Sequence, residues 1–107
     1  MKLWVDDLRP APNDEYIWCH SVYRAIKEIE IREYLIEDLD EECEPIELID
    51  IDHDAGDYFQ YGGDYIRLLD WLEETGRNYP IRIHSQNPVG VENMRRIIQK
   101  NGWREIR

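Results

Sequence analysis

The sequence lacks long apolar runs, is poor in basic residues and contains only two cysteines. A helix that crosses a bilayer needs roughly 20 apolar residues, and residues 2–6 are too short to be the apolar core of a secretion signal. We therefore expect a cytoplasmic protein that does not bind a membrane. Thirteen basic residues against 24 acidic ones give a net charge of −11, which disfavours non-specific binding to the phosphates of DNA or RNA.

The two cysteines, Cys19 and Cys43, have neither a metal-ligand spacing nor the density of a disulfide-stabilised secreted domain. We expect both thiols to be reduced and structural. The chain has 107 residues, and 42% of them are hydrophobic, which suits one hydrophobic core and argues against disorder. Residues 1–107 are therefore interpreted as a single domain.

Apolar, β-branched and aromatic runs alternate with stretches of helical periodicity along the chain. Five strands are predicted, at residues 2–6, 16–20, 46–52, 80–84 and 103–106. Three helices are predicted, at residues 22–35, 64–74 and 89–100. This alternation is typical of an α/β fold, a three-layer sandwich with a mainly parallel sheet of four to five strands and helices on both faces.

Three segments interrupt the pattern. A proline-containing loop, and no helix, connects the first two strands, and the acidic residues 37–44 are interpreted as a solvated connection. Residues 53–63 are rich in glycine and show no regular period. Aromatic residues in this last loop suit either stacking on a nucleobase or packing, and they are Tyr58, Phe59 and Tyr61.

Chemically distinctive residues follow three of the predicted strands. Asp6 and Asp7 follow the first strand, residues 52–54 (DHD) follow the third, and residues 84–87 (HSQN) follow the fourth. Ligands bind in the crevice at the carboxyl ends of the strands of an open parallel sheet. The sequence therefore predicts that these residues form one site.

Several carboxylates in one partly buried crevice repel one another, and a hard divalent cation with oxygen ligands relieves that repulsion. We expect Mg²⁺, or Mn²⁺, to be bound by Asp52 and by Asp6 or Asp7. Asp54 would add its side chain or its backbone carbonyl. An isolated pair of aspartates is more typical of a turn cap, and it is the neighbouring acids that favour a metal site.

His84 stands directly before a turn and a helix N-terminus, where free backbone N–H groups bind anions. We expect His84 to be a catalytic acid or base and His53 to be a second candidate, with a structural role as the alternative for each. Ser85 and Asn87 in the turn, and Arg9 across the crevice, are predicted to bind the substrate's phosphate.

Four short motifs together resemble a known family. They are VDDLRP at residues 5–10, IDHD at 51–54, GDY at 63–65 and IHSQNP at 83–88. Their order and spacing resemble the receiver-domain superfamily, and more closely its divergent branch, the cyclic-phosphate-processing receiver-like domain. The resemblance covers nearly the whole chain, and this branch also lacks a helix between its first two strands.

The resemblance implies a flavodoxin-like fold in which Asp6 and Asp7 hold the metal and Asp52 takes the place of a receiver's phospho-accepting aspartate. The lysine that follows the last strand of an ordinary receiver is absent from residues 103–107 (WREIR). The resemblance further implies that a cyclic phosphate on a nucleotide or RNA end is processed, without a phosphorelay. The residues that the branch adds are His53, Asp54, His84 and Asn87.

Two functions are compatible with these observations. The first is a metal-dependent phosphoesterase acting on a cyclic phosphate or a phosphorylated nucleotide or RNA end, with water or Asp52 as the nucleophile. The second is a non-catalytic receiver-like module that acts as a switch, sequesters a nucleotide or binds another protein. The histidines favour the enzyme, and the missing lysine argues against the switch.

Overall fold

The computed structural model describes residues 1–40 and 42–107. Its main elements, in chain order, are β1 (Lys2–Val5), β2 (Tyr16–Cys19), α1 (Val22–Glu33), β3 (Leu48–Ile51), α2 (Ile66–Thr75), β4 (Ile81–Ile83), α3 (Pro88–Asn101) and β5 (Glu105–Ile106). All the predicted strands and helices are present. The strands are one to three residues shorter than predicted, at the carboxyl end in β1 and β2, at the amino end in β5 and at both ends in β3 and β4.

The five strands form one parallel sheet in the order β2-β1-β3-β4-β5. β1 pairs with both β2 and β3, so that Trp4 lies in register with Trp18 on one side and with Asp50 on the other. The predicted α/β, flavodoxin-like fold is confirmed. The parallel pairing of β1 with β2, which has no helix in its connection, is confirmed as well.

The two faces of the sheet are covered differently. On one face, strand residues such as Leu3, Ile49 and Ile81 share a single buried core with residues of all three helices. From β1 to β2 the chain moves towards one edge of the sheet, whereas the three later connections move towards the other edge. Because crossovers between parallel strands are right-handed, the β1–β2 connection lies on the face opposite to the later connections. The helices, predicted for both faces, therefore lie on one face, and a loop provides the covering layer on the other.

That covering loop, residues 6–15, is attached to the sheet through two tryptophans. The indole N–H of Trp4 donates to the carbonyl oxygen of Arg9 at 2.7 Å, and the indole N–H of Trp18 donates to the carbonyl oxygen of Asp6 at 2.8 Å. Trp4 is consequently only 9% exposed. The distinctive residues after β1, β3 and β4 lie at the carboxyl edge of the sheet.

Helix ends follow local chemistry. Ser21 caps α1, since its hydroxyl accepts a hydrogen bond from the N–H of Arg24 at 3.1 Å. Asn87 caps α3 in the same way through the N–H of Gly90 at 3.0 Å. α2 ends at Gly76, whose φ of 70° is a left-handed conformation that suits glycine.

Two of the segments that interrupt the predicted pattern contain helical turns. α1 continues into a π-helical turn at Tyr34–Asp38, so helical structure extends into the predicted acidic connection, and residue 41 of that connection lies outside the described residues. The glycine-rich loop contains a 3₁₀ turn at Gly56–Tyr58, where no element was predicted.

Cys19 is buried, and both it and Cys43 are free, as predicted.

None of the helices in residues 1–40 and 42–107 combines the length and the apolar character that a bilayer crossing requires.

Candidate functional site

Three of the predicted site residues converge where β1, β3 and β4 end. Asp6, Asp52 and His84 each offer one oxygen or nitrogen atom, and these three atoms lie within 4.8 Å of one another. The sheet brings them together because β1, β3 and β4 are adjacent and parallel. The convergence predicted for the ends of these strands therefore occurs in the structure.

Asp6 is 1% exposed, and its two carboxylate oxygens have different partners. Oδ1 accepts hydrogen bonds from the N–H groups of Leu8 at 2.9 Å and Arg9 at 2.8 Å, and Oδ2 lies 2.9 Å from Nε2 of His84. Burial raises the pKa of Asp6, but these hydrogen bonds and the charge of His84 outweigh it, so the pKa is lowered. Asp6 is therefore an ionised carboxylate.

His84 lies between two carboxylates and on an indole ring. Its Nδ1 is 2.7 Å from Oδ1 of Asp50, and its Nε2 faces Asp6. The ring is stacked on Trp4 with a centroid distance of 3.8 Å and an interplanar angle of 1°. Burial lowers the pKa of His84, but the bonds to Asp50 and Asp6 outweigh it and raise the pKa. The carboxylate at each nitrogen therefore favours the protonated form of the His84 ring.

Sequence reasoning missed Asp50 and Trp4. Asp50 is 1% exposed in the middle of β3, between Ile49 and Ile51, which are both fully buried. A charge inside an otherwise apolar strand is costly unless it is paired. That anomaly was visible in the sequence, whereas the position of Trp4 beneath the His84 ring depends on the pairing of β1 with β3.

Asp7 stands next to the cluster and not within it. Its carboxylate lies against the backbone of Gly56, the first residue of the 3₁₀ turn. Burial raises the pKa of Asp7, and the negative charges of Asp6, Asp52 and Asp57 raise it further. This edge of the sheet therefore carries more negative charge than its own cations neutralise.

His53 and Asp54 belong to a second group. Nδ1 of His53 lies 2.8 Å from Oδ1 of Asp54, and the side-chain amide of Asn87 lies 3.4 Å from the same nitrogen. Asp64 is close enough to these two residues to complete a group of three. Asp54 is thus placed with His53 and Asp64, and the structure does not bring it to Asp6 and Asp52 as a shared metal site requires.

The ring of His53 packs against α3. A β-carbon on Gly90 would lie 2.4 Å from Cγ of His53, so only glycine leaves room for the ring. The backbone N–H of His53 donates to Oδ1 of Asp52 at 2.7 Å. His53 therefore links the second group both to α3 and to the first cluster.

The residues predicted to bind the phosphate take different positions. The hydroxyl of Ser85 accepts the N–H of Asn87 at 3.1 Å, and Asn87 caps α3. Arg9 is exposed. Its backbone N–H donates to Oδ1 of Asp6, and its carbonyl oxygen accepts a hydrogen bond from the indole N–H of Trp4. Ser85 and Asn87 thus shape the turn before α3, while the guanidinium of Arg9 makes no hydrogen bond or ion pair with the residues that the structure describes.

A row of aromatic rings runs beside the site. His20 is stacked on Trp18 with a centroid distance of 4.3 Å, Tyr58 follows at 5.2 Å from His20, and Tyr61 at 6.3 Å from Tyr58. Phe59, in the same loop, is 60% exposed. The loop after β3 therefore presents aromatic surface to solvent next to Asp7.

The acids after β1 and β3 fit a hard divalent cation such as Mg²⁺ or Mn²⁺. Asp6 and Asp52 bring carboxylate oxygens together, and Asp7 has a pKa raised by negative neighbours that a cation would neutralise. His84 does not fit as a ligand, because both of its nitrogens are directed at carboxylates. The residues that would hold the ion are therefore Asp6, Asp7 and Asp52.

Comparison with known protein families confirms the predicted resemblance. Residues 1–100 match the family described as the cyclic-phosphate processing receiver domain. No curated protein sequence and no solved structure matched the chain. The matched range contains β1 to β4, α3 except for its last residue, and every candidate site residue. The chain belongs to the cyclic-phosphate processing receiver domain family.

Proposed function

We propose that this protein is a Mg²⁺-dependent phosphoesterase that hydrolyses a cyclic phosphate on a nucleotide or RNA end. One observation carries the proposal: the paired acids Asp6 and Asp52 lie beside His84, whose two ring nitrogens face carboxylates. The acids suit a cation that binds phosphate oxygens, and the histidine suits proton donation. Membership of a family concerned with cyclic-phosphate processing supports the same reaction.

The cation would be held by Asp6, Asp7 and Asp52. When bound, it lowers the pKa of a coordinated water and polarises the phosphoryl group. The ligands themselves supply a site of concentrated negative charge in a protein whose net charge is −11. An anionic substrate therefore depends on the ion to reverse the local field.

The proton transfers can be assigned to the two histidines. Hydrolysis forms a bond between phosphorus and the water oxygen and breaks the bond between phosphorus and one ribose oxygen. His84 donates a proton from Nε2 to the leaving ribose oxygen. His53, whose Nδ1 is held by Asp54 at 2.8 Å, accepts the proton of the attacking water at Nε2. Proton exchange with solvent then restores both residues.

The phosphate itself would be bound at the turn before α3. Asn87 begins this helix of 14 residues, and the partial positive charge of a helix N-terminus favours an anion. Ser85 holds the turn through its bond to the Asn87 N–H, and the exposed Arg9 is available for the phosphate oxygens.

The proposal is tested with purified protein, Mg²⁺ or Mn²⁺, and a panel of 2′,3′-cyclic nucleotides and RNA oligonucleotides ending in a 2′,3′-cyclic phosphate. Ring opening is followed by phosphorus NMR. Asp52→Asn and His84→Gln are each expected to lower kcat roughly 100-fold or more. Glu33→Gln is the control, because Glu33 pairs with Arg77 at the C-terminal end of α1.

Absence of turnover on the whole panel, or turnover that survives both site substitutions, would contradict the proposal. Stoichiometric binding of a cyclic nucleotide without turnover would support a non-catalytic module instead. If Asp52 attacks the phosphorus in place of water, an aspartyl phosphate forms during turnover, and reduction with borohydride converts that residue to homoserine, which mass spectrometry detects.

A further inference from the structure

Asp50 is unexplained by the needs of the fold. It is 1% exposed and stands in β3, where its sequence neighbours are fully buried isoleucines. Replacing a buried ion pair by apolar residues of similar volume is often neutral or stabilising. Stability alone therefore does not account for Asp50. Its observed partner is Nδ1 of His84, at 2.7 Å.

The orientation of the His84 ring is determined by three contacts. Asp50 binds Nδ1, Asp6 faces Nε2, and Trp4 lies parallel beneath the ring at 3.8 Å. Asp6 is one of the acids that would hold the cation, so its contact with Nε2 changes when the ion and the substrate bind. Asp50 and Trp4 have no such second task. Their contacts with the ring therefore do not depend on the ion.

The protein contains a second histidine on a tryptophan that serves as an internal comparison. His20 is stacked on Trp18, in register with Trp4 on the same face of the sheet, at a centroid distance of 4.3 Å. In this pair the rings are tilted by 28°, whereas His84 and Trp4 are within 1° of parallel. Among the described residues, His20 has no carboxylate bonded to its ring, and the closer, flatter stack belongs to His84, which has a carboxylate at each nitrogen.

We infer that Asp50 is a positioning residue that holds Nδ1 of His84 and thereby directs Nε2 at the substrate. Trp4 supports the ring by stacking on it. A carboxylate that orients a catalytic imidazole through Nδ1 is an established chemical device. The inference rests on the proposed function, in which His84 donates the proton to the leaving oxygen. It assigns to β3 a contribution to the site besides that of Asp52, which follows the strand.

The experiment compares Asp50→Ala with Glu33→Gln, which removes an ion pair with Arg77 outside the site. Asp50→Ala is expected to lower kcat roughly 10- to 100-fold and to leave KM within about twofold, since the residue acts through His84 and not on the substrate. Added formate is expected to restore part of kcat by replacing the lost carboxylate. Formamide, which is similar in size but neutral, is expected not to. Glu33→Gln is expected to keep the wild-type kcat.

A readout without substrate separates this inference from the proposed function. In the free wild-type protein, ¹⁵N NMR is expected to show an Nδ1–H of His84 in a hydrogen bond to a carboxylate, and this signal is expected to be lost in Asp50→Ala. An unchanged signal overturns the inference, as does an unchanged kcat in a folded variant. If Asp50→Ala does not fold, the same NMR signal of His84 is measured in Asp50→Asn, which preserves the shape of the side chain and removes its charge. Absence of turnover in the wild type contradicts the proposed function alone.

Discussion

A β-carbon placed on Gly56 would lie 2.3 Å from Oδ2 of Asp7. Gly56 opens the 3₁₀ turn after β3, and its φ of 54° is one that side chains rarely adopt. The loop after β3 and the acid after β1 therefore fit together only because residue 56 has no side chain. The position of the Asp7 carboxylate depends on this contact.

Replacing Gly56 by alanine is expected to displace the Asp7 carboxylate and to weaken Mg²⁺ binding roughly tenfold. Gly76→Ala is the matched control, because Gly76 has a similar φ of 70° and open space around it. Both variants carry about 1 kcal/mol of backbone strain, but only the first carries the clash. Calorimetric titration with MgCl₂ measures the difference. Equal affinities in the two variants would argue against Asp7 as a ligand.

Mg²⁺ is expected to raise the melting temperature of the wild-type protein and not that of Asp52→Asn. A ligand at 100 times its dissociation constant stabilises a protein by about 2.7 kcal/mol, which for this size corresponds to roughly 10 °C or more. Without Mg²⁺, Asp52→Asn should be at least as stable as the wild type, because the negative charge that raises the Asp7 pKa is reduced.

Asp54→Asn is the control for this measurement. Asp54 is 63% exposed and bonded to His53, so the variant is expected to keep the full Mg²⁺-dependent shift. Differential scanning fluorimetry across a Mg²⁺ series distinguishes the two positions. A loss of the shift in Asp54→Asn would place Asp54 among the ligands after all.

A double-mutant cycle tests the packing of His53 on α3. Gly90→Ala alone is expected to destabilise the protein by about 1–3 kcal/mol, since the new methyl group overlaps the His53 ring. In a His53→Ala background the clash is gone, and the same change should stabilise α3 by about 0.5–1 kcal/mol. Urea unfolding of the four proteins gives the coupling, and an additive result would contradict the contact.

The ion pair between Glu33 and Arg77 predicts a pH-dependent part of the stability. Burial raises the pKa of Glu33, but hydrogen bonds from Arg77 and Tyr79 outweigh it, and the pKa in the folded state is lowered. A lowered pKa means that the ion pair contributes its full stabilisation at pH values above the pKa of Glu33 in the unfolded chain, about 4.3. It is lost as the pH falls through the folded value.

The measurement compares urea unfolding of the wild type and Glu33→Gln. We expect a difference of about 1 kcal/mol at neutral pH, and this difference should shrink as the pH falls below about 4.3. A difference that grows on acidification would have the wrong sign for an ionised Glu33. The comparison cancels the acid-induced effects of the other carboxylates.

Strands and helices were predictable because their signals are local. The apolar run of β3, the hydroxyl of Ser21 and the left-handed glycines after α2 and α3 act on their immediate neighbours. The placement of all three helices on one face was not predictable from these signals. It follows from the strand order, in which β1 lies between β2 and β3, and that order depends on pairing between segments distant in the chain.

The site was predictable to the same extent. Asp6, Asp52 and His84 follow strands that a parallel sheet aligns at one edge, so their convergence required only the fold class. Asp50 required more. Its role depends on the contact between the His84 ring and the Asp50 side chain in β3. The spacing of residues along the chain does not predict the direction in which a side chain extends across a sheet.

The sequence by itself determined the family, the parallel α/β fold and the carboxyl edge where acids and histidines gather, since these depend on local pattern and on short motifs. Tertiary structure alone decided how the edge is divided: Asp54 with His53, Asp6 with Asp52, and His84 between Asp6 and Asp50. The reason is physical. Hydrogen bonds between side chains extend over about 3 Å, so partners are chosen by the packing that brings distant residues within that range.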